Sequence, residues 1–159
     1  MSFRFQKIEL ILKQKITLRP VKESDSKLLF NWVNEKGVRN NSLNNEVINW
    51  QNHDDWFNKK FRSNKCKIFI LENNNVPLGQ VRIEEEANGL WLIDYSIDLE
   101  FRGKGFGFKI LDLLIKKIPN SKFKAEVKIK NIASQRVFEK LNFKFKKIEE
   151  VIEYTFNCE

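Results

Sequence analysis

With 159 residues, the chain can bury one continuous core without disulfides or metals, and its 42% hydrophobic and 31% charged content excludes a disordered or membrane-embedded protein. No apolar run approaches the ~20 residues of a membrane helix, and residues 8–12 are too short for a secretory signal. A net charge of +8 concentrates anions, but the lysines are scattered, so a phosphorylated small ligand fits the surface better than nucleic acid. Cys66 and Cys158 form neither a disulfide framework nor a zinc pattern, and no metal site is expected. Both read as free thiols of a reducing cytoplasm.

There is no repeat, low-complexity tract or Pro/Gly/Ser linker, so residues 1–159 read as one domain. Ile16-Thr17-Leu18-Arg19-Pro20 alternates like a half-buried strand. Ser24 and Asp25 start a helix with Leu29, Trp32 and Val33 inward, and Gly37 reads as its stop. Residues 38–49 are polar, Asn-rich and without period, which predicts a loop. A short helix follows, with Trp50, His53, Trp56, Phe57 and Phe61 near one face. Residues 68–71, 77–86 and 90–98 read as strands, the last two joined at Ala87-Asn88-Gly89 as a hairpin.

A helix with Phe108, Leu111, Leu114, Ile115 and Ile118 inward then runs to Pro119, and Phe123, Ala125, Val127 and Ile129 mark a strand. Asn131 caps a last helix, and residues 143–148 and 151–156 close the chain as two strands. The order is β-α-α-β-β-β-α-β-α-β-β, an α/β (α+β) mixed sheet with helices packed on it.

Arg102-Gly103-Lys104-Gly105-Phe106-Gly107 stands between a strand and an amphipathic helix. Glycines admit positive φ and keep Cβ atoms away from a ligand, and the helix start presents free N–H groups. That combination suits a pyrophosphate; a plain tight turn is the alternative. No Lys-Ser/Thr pair follows, and the turn comes after an antiparallel meander, so neither a triphosphatase loop nor a Rossmann fingerprint fits.

Taken with Asn131-Ile132-Ala133-Ser134-Gln135-Arg136-Val137-Phe138-Glu139-Lys140-Leu141-Asn142-Phe143, the sequence resembles the GNAT superfamily of CoA-dependent N-acetyltransferases. The turn resembles that family's Q/R-x-x-G-x-G/A pyrophosphate loop, and the second stretch its N-x-A-S-x-x-x-[FY]-E-K-x-G-F helix. The likeness spans about residues 16 to 156. It implies a GNAT-like, mostly antiparallel sheet with helices on both faces. It further implies acetyl-CoA as co-substrate, held by Ile97, Asp98, Leu99, Arg102, Gly103, Lys104, Gly105, Phe106, Gly107, Asn131, Ser134 and Phe138. Asn131 reads equally as a plain helix cap. Phe138 stands where many members carry the tyrosine proposed to protonate the departing thiolate, which leaves the acid unassigned.

Acetyl transfer from a thioester to nitrogen needs a neutral amine, donors for the oxyanion and a proton for sulfur. Glu84 and Asp94 are the leading candidates for base, with a solvated acidic edge as the alternative, and Ser134 is a candidate proton relay. Trp32-x-Asn34, Val38-Arg39-x-x-Ser42 and Ile48-x-x-x-x-His53-x-x-Trp56-Phe57 resemble a narrower group of sugar-nucleotide N-acetyltransferases. These act on 4-amino-4,6-dideoxy sugars, as in pseudaminic acid synthesis. The resemblance implies Arg39, His53, Trp56 and Tyr95 as substrate contacts, although His53 reads equally as a core histidine and Val33 replaces that group's common arginine. An anionic sugar nucleotide is therefore the expected small-molecule partner, in the cytoplasm, with a homodimer possible. The alternatives are an N-terminal or ribosomal-protein acetyltransferase, and a non-catalytic acyl-CoA-binding or interaction domain.

Overall fold

The computed structural model describes residues 15–157, the side chain at position 88 excepted. Residues 8–12 and Cys158 lie outside the described residues. The strands are β1 (Ile16–Pro20), β2 (Cys66–Asn73), β3 (Val76–Glu85), β4 (Leu90–Ile97), β5 (Lys122–Lys128), β6 (Lys144–Ile148) and β7 (Val151–Asn157). They form one seven-stranded sheet in the order β1-β2-β3-β4-β5-β7-β6. Every neighbouring pair is antiparallel except β4 and β5. The helices are α1 (Ser26–Val33), α2 (Lys36–Asn41), α3 (Trp50–Phe61), α4 (Phe106–Lys117) and α5 (Ile132–Lys140). This is the mixed, mostly antiparallel architecture expected.

Both faces of the sheet are covered, and β2 shows why. Its residues alternate between faces, yet Ile68 and Ile70 as well as Phe69 and Leu71 are buried. Ile68 and Ile70 pack with Leu29 and Trp32 of α1 and Phe57 of α3. Phe69 and Leu71 join the larger core around Ile110, Leu111 and Leu114 of α4, which also holds Phe123, Phe138 and Tyr154. The inward stripe of α4 is thus rotated from the expected one. Ile110 is fully buried, while Phe108 is only half-buried and carries the Lys140 ammonium over its ring. At Gly79, paired with Ile97, a Cβ would lie 2.5 Å from the Ser96 carbonyl oxygen, so glycine permits the close approach of β4.

The region read as a loop contains α2, and Gly37 lies in its first turn instead of stopping α1. The Glu35 carboxylate caps α2, accepting from the amides of Gly37 and Val38 at 2.8 and 3.2 Å. Beyond α2 the chain is ordered by side chains, not by apolar period. Asn34 pairs through both its amide atoms with the backbone of Ile48, each at 2.8 Å. Arg39 donates to the carbonyls of Val33, Asn44 and Glu46 and to the Ser42 hydroxyl.

A second polar anchor ties β1 to α1. Arg19 grips the Asp25 carboxylate through two bonds of 2.7 and 3.0 Å and donates to Glu72 at 2.8 Å. Burial alone would raise the Asp25 carboxyl, but Arg19 and the Lys22 amide overcome it and hold it below its ordinary value. Arg19→Met should leave Asp25 buried without its counter-charge. With Arg19 itself about a fifth exposed, the expected loss is about 2–3 kcal/mol in denaturant titration. The folded carboxyl binds its proton less readily than the unfolded one, so the stabilisation is complete above about pH 4 and disappears as pH falls through the folded value. The variant should show a weaker acid dependence there.

Candidate active site

The site begins where two strands part. β4 and β5 pair in parallel only at Leu90, Leu92 and the residue between them, opposite residues 122–124. Beyond Leu92 the edge of β4 that faces β5 has no strand partner, and its backbone groups border a cavity. That cavity, about 1110 Å³, runs from the start of α4 to the space beneath α2 and α3. Its walls bring together Arg39, His53, Trp56, Glu84, Asp94, Tyr95 and Ile97 with Arg102, Gly103, Gly105, Phe106, Gly107, Asn131, Ser134 and Phe138. One sheet face supplies its floor and α4 and α5 its other side.

Three candidates fall outside this wall. Both carboxylate oxygens of Asp98 are occupied, one by the Trp32 indole N–H at 2.7 Å and one by the Glu100 amide at 2.9 Å. Leu99 is 62% exposed in the short turn that follows. The Lys104 ammonium donates to the Glu100 carbonyl at 2.9 Å and lies over Phe101. All three organise the turn between β4 and α4.

The glycines of that turn do different work. Gly103 and Gly105 have φ of +72° and +84°, and a Cβ at either would meet nothing within 4 Å. Gly105 is the left-handed cap of α4, no side chain caps the helix, and its first amides are free for an anion. Gly107 instead sits 3.3 Å (as a Cβ) from Val137 and 3.5 Å from the Tyr95 ring and hydroxyl, allowing α4 to lie against α5 and β4. Arg102 donates to the Ile97 carbonyl at 2.9 Å and pairs with Glu35. A Cβ on Gly37 would lie 2.7 Å from its guanidinium.

The floor is polar. Arg82 stands 3.0 Å from Glu84 and 3.7 Å from Asp94, opposite it across the β3–β4 ladder. Glu84 also pairs with Lys60, while Asp94 is open to the cavity and 3.4 Å from the Gln80 amide. Above the floor, Trp56 stacks its ring under Arg82. His53 is 2% exposed among Phe30, Trp50, Trp56 and Phe57, with Nε2 at 2.9 Å from the Ser26 carbonyl. Burial pushes its pKa below the ordinary value, so it is a neutral ring near pH 7. Four of the five Arg39 N–H donors are spent on its own loop, and its side chain forms part of the cavity wall.

At the centre, the Tyr95 hydroxyl and Ser134 Oγ are 3.0 Å apart. Asn131 caps α5 by accepting from the Ser134 amide at 3.2 Å. Phe138, 2% exposed, stacks on Tyr154 and packs edge-on against Phe143 and Tyr95. The bond between Tyr95 and Ser134 is the feature that sequence reading missed. No spacing rule announces a partner 39 residues away.

The sequence profile of the Acetyltransferase (GNAT) domain family matches residues 15–144. No curated protein matches the chain. Among solved structures, the chain is similar to spermidine N-acetyltransferase from Vibrio cholerae in complex with CoA and spermine. The TM-score is 0.81 at 18% identity, covering 90% of this chain and 95% of that one. A domain from Methanocaldococcus jannaschii superposes with TM-score 0.77 at 25% identity, covering 91% and 99%. The ribosomal-protein alpha-N-acetyltransferase RimL, in complex with coenzyme A, gives TM-score 0.77 at 17% identity, covering 90% and 94%.

Gly105→Val tests the anion cradle. A β-branched residue is strained at φ +84° and would project into the open space before the helix amides. Calorimetry should show CoA binding weakened at least tenfold, or about 1.4 kcal/mol, in a variant that still unfolds cooperatively. Unchanged affinity would place the cofactor phosphates elsewhere.

Proposed function

The chain belongs to the acetyltransferase (GNAT) family and so is an acetyl-CoA-dependent N-acetyltransferase, and from that premise we propose that its acceptor is a nucleotide-linked 4-amino-4,6-dideoxy sugar, acetylated at the 4-amino group. The observation that carries this reading is that cations already match the carboxylates on the cavity floor. Of the carboxylates on its walls, Asp94 faces Arg82 and Glu126 faces Lys124, while Arg102 is itself paired with Glu35. Glu84 is already matched by Lys60 and Arg82. A polyamine or strongly basic peptide would want a surplus of free carboxylates, whereas an anionic nucleotide is compatible with this wall and with the net charge of +8. The resemblance of residues 32–57 to sugar-nucleotide enzymes points the same way.

Acetyl transfer then proceeds by direct attack of the amine on the thioester carbon in a ternary complex. The free edge of β4 offers backbone donors to the developing oxyanion. Asp94, open to the cavity and less encumbered than Glu84, takes the proton from the amine, directly or through water. The Cys66 thiol is no nucleophile for a covalent path. It is buried in β2, outside the cavity wall, and burial and then Glu84 push its pKa up.

A second reading is acetylation of a protein α-amine, favoured by the exposed apolar rim at Leu43 and Val47, 60% and 78% accessible, beside the cavity mouth. Thiol release from acetyl-CoA should be compared for a nucleotide-linked 4-amino-4,6-dideoxy sugar, a ribosomal-protein N-terminal peptide and spermidine. The sugar nucleotide should exceed both others in kcat/KM by at least a hundredfold, about 2.7 kcal/mol of transition-state stabilisation. Preference for the peptide would replace this reading with the second. Intact-mass measurement during turnover should find no acetyl adduct on cysteine.

A further inference from the structure

The sequence contains two tyrosines, and they occupy unlike places. Tyr154 is fully buried, stacked on Phe138, with its hydroxyl donating to Glu139 at 3.2 Å. Tyr95 borders the cavity. Its hydroxyl lies 3.0 Å from Ser134 Oγ and beside the first turn of α4, within 3.5 Å of the position of a Cβ on Gly107. Its ring packs edge-on against Phe138, with centroids 5.9 Å apart. Phe138 has no polar atom to offer the reaction, and the hydroxyls of this pair line the cavity beside it, one from β4 and one from the turn of α5 that precedes Phe138.

We propose that Tyr95, backed by Ser134, donates the hydrogen bond that stabilises the departing CoA sulfur. As nitrogen bonds to the acetyl carbon, the carbon–sulfur bond breaks and its electron pair leaves with sulfur. The thiolate accepts from the Tyr95 hydroxyl, which in turn accepts from the Ser134 hydroxyl. The amine's proton leaves to the base or water, and the thiolate takes one from water, so no net proton is consumed. Burial pushes the Tyr95 hydroxyl up to about 12, against the opposing bond to Ser134, so it keeps its proton at working pH and remains a donor. A hydroxyl accepts as well as donates, which lets the two act in series. The proposal rests on acetyl-CoA as donor and not on the identity of the acceptor.

The test therefore uses CoA alone. The thiolate of CoA bound to the full chain is titrated by its ultraviolet absorbance in wild type and variants. A donor hydrogen bond should hold the bound thiol about one unit below the ~8.5 of a free thiol. Tyr95→Phe, which keeps the ring, should raise it by about one unit, a tenfold change in acid dissociation. Ser134→Ala should raise it by less, and Phe138→Tyr added to Tyr95→Phe should lower it again. A Tyr95→Phe titration superimposable on wild type would overturn the proposal. So would the full shift from Ser134→Ala with none from Tyr95→Phe, which would make serine the donor. Because no amine is present, failure of the sugar-nucleotide reading leaves this measurement untouched.

Discussion

The parting of β4 from β5 after three paired residues is the constraint on which the rest of the site depends. A continuous sheet would satisfy its own backbone groups and leave none for a ligand. Here β5 is fully paired on its other edge with β7, from Lys122 to Lys128, so the sheet keeps its integrity while one seam opens. The opening faces the uncapped start of α4 on one side and the floor of Gln80, Arg82 and Asp94 on the other. Such a seam opens the sheet to both of its faces.

Arg102 joins those two sides. Read from the motif it belongs to the pyrophosphate turn, but in the fold it reaches across to Glu35, which caps α2 on the acceptor side. Its Nε is spent on the Ile97 carbonyl at the end of β4. Gly37 lacks the Cβ that would obstruct the guanidinium at 2.7 Å. The residue that read as a helix stop is therefore a clearance for an arginine 65 positions on. Changes at Glu35, Gly37 or Arg102 should disturb both reactants' sides together, since one hydrogen-bonded chain runs through all three.

What was legible in the sequence followed the strength of local periodicity. β4 and β5 alternate cleanly because each packs one face against α4 and α5, and the glycine turn declares itself through residues that tolerate φ of +72° and +84° without strain. α2 was hidden because its six residues carry no apolar stripe; its stability comes from the Glu35 cap and the clamp that Arg39 and Asn34 place on the following segment. Long-range side-chain pairs leave no period to read. The Asp98 side chain shows the same: no local pattern announces its bond to the Trp32 indole, 66 positions away.

Phe138 then becomes intelligible as a packing residue. Its ring is sandwiched among Tyr154, Phe143 and Tyr95, and it is 2% exposed, so a hydroxyl there would need a partner within a largely apolar surround. The polar groups at this point of the cavity lie one helical turn earlier, where Ser134 meets Tyr95 from the strand. A leaving thiol of ordinary acidity, near ~8.5, asks only for stabilisation of its anion near neutral pH and not for a strong acid. The proposed Tyr95–Ser134 pair would meet that demand beside a core aromatic at 138 that only packs.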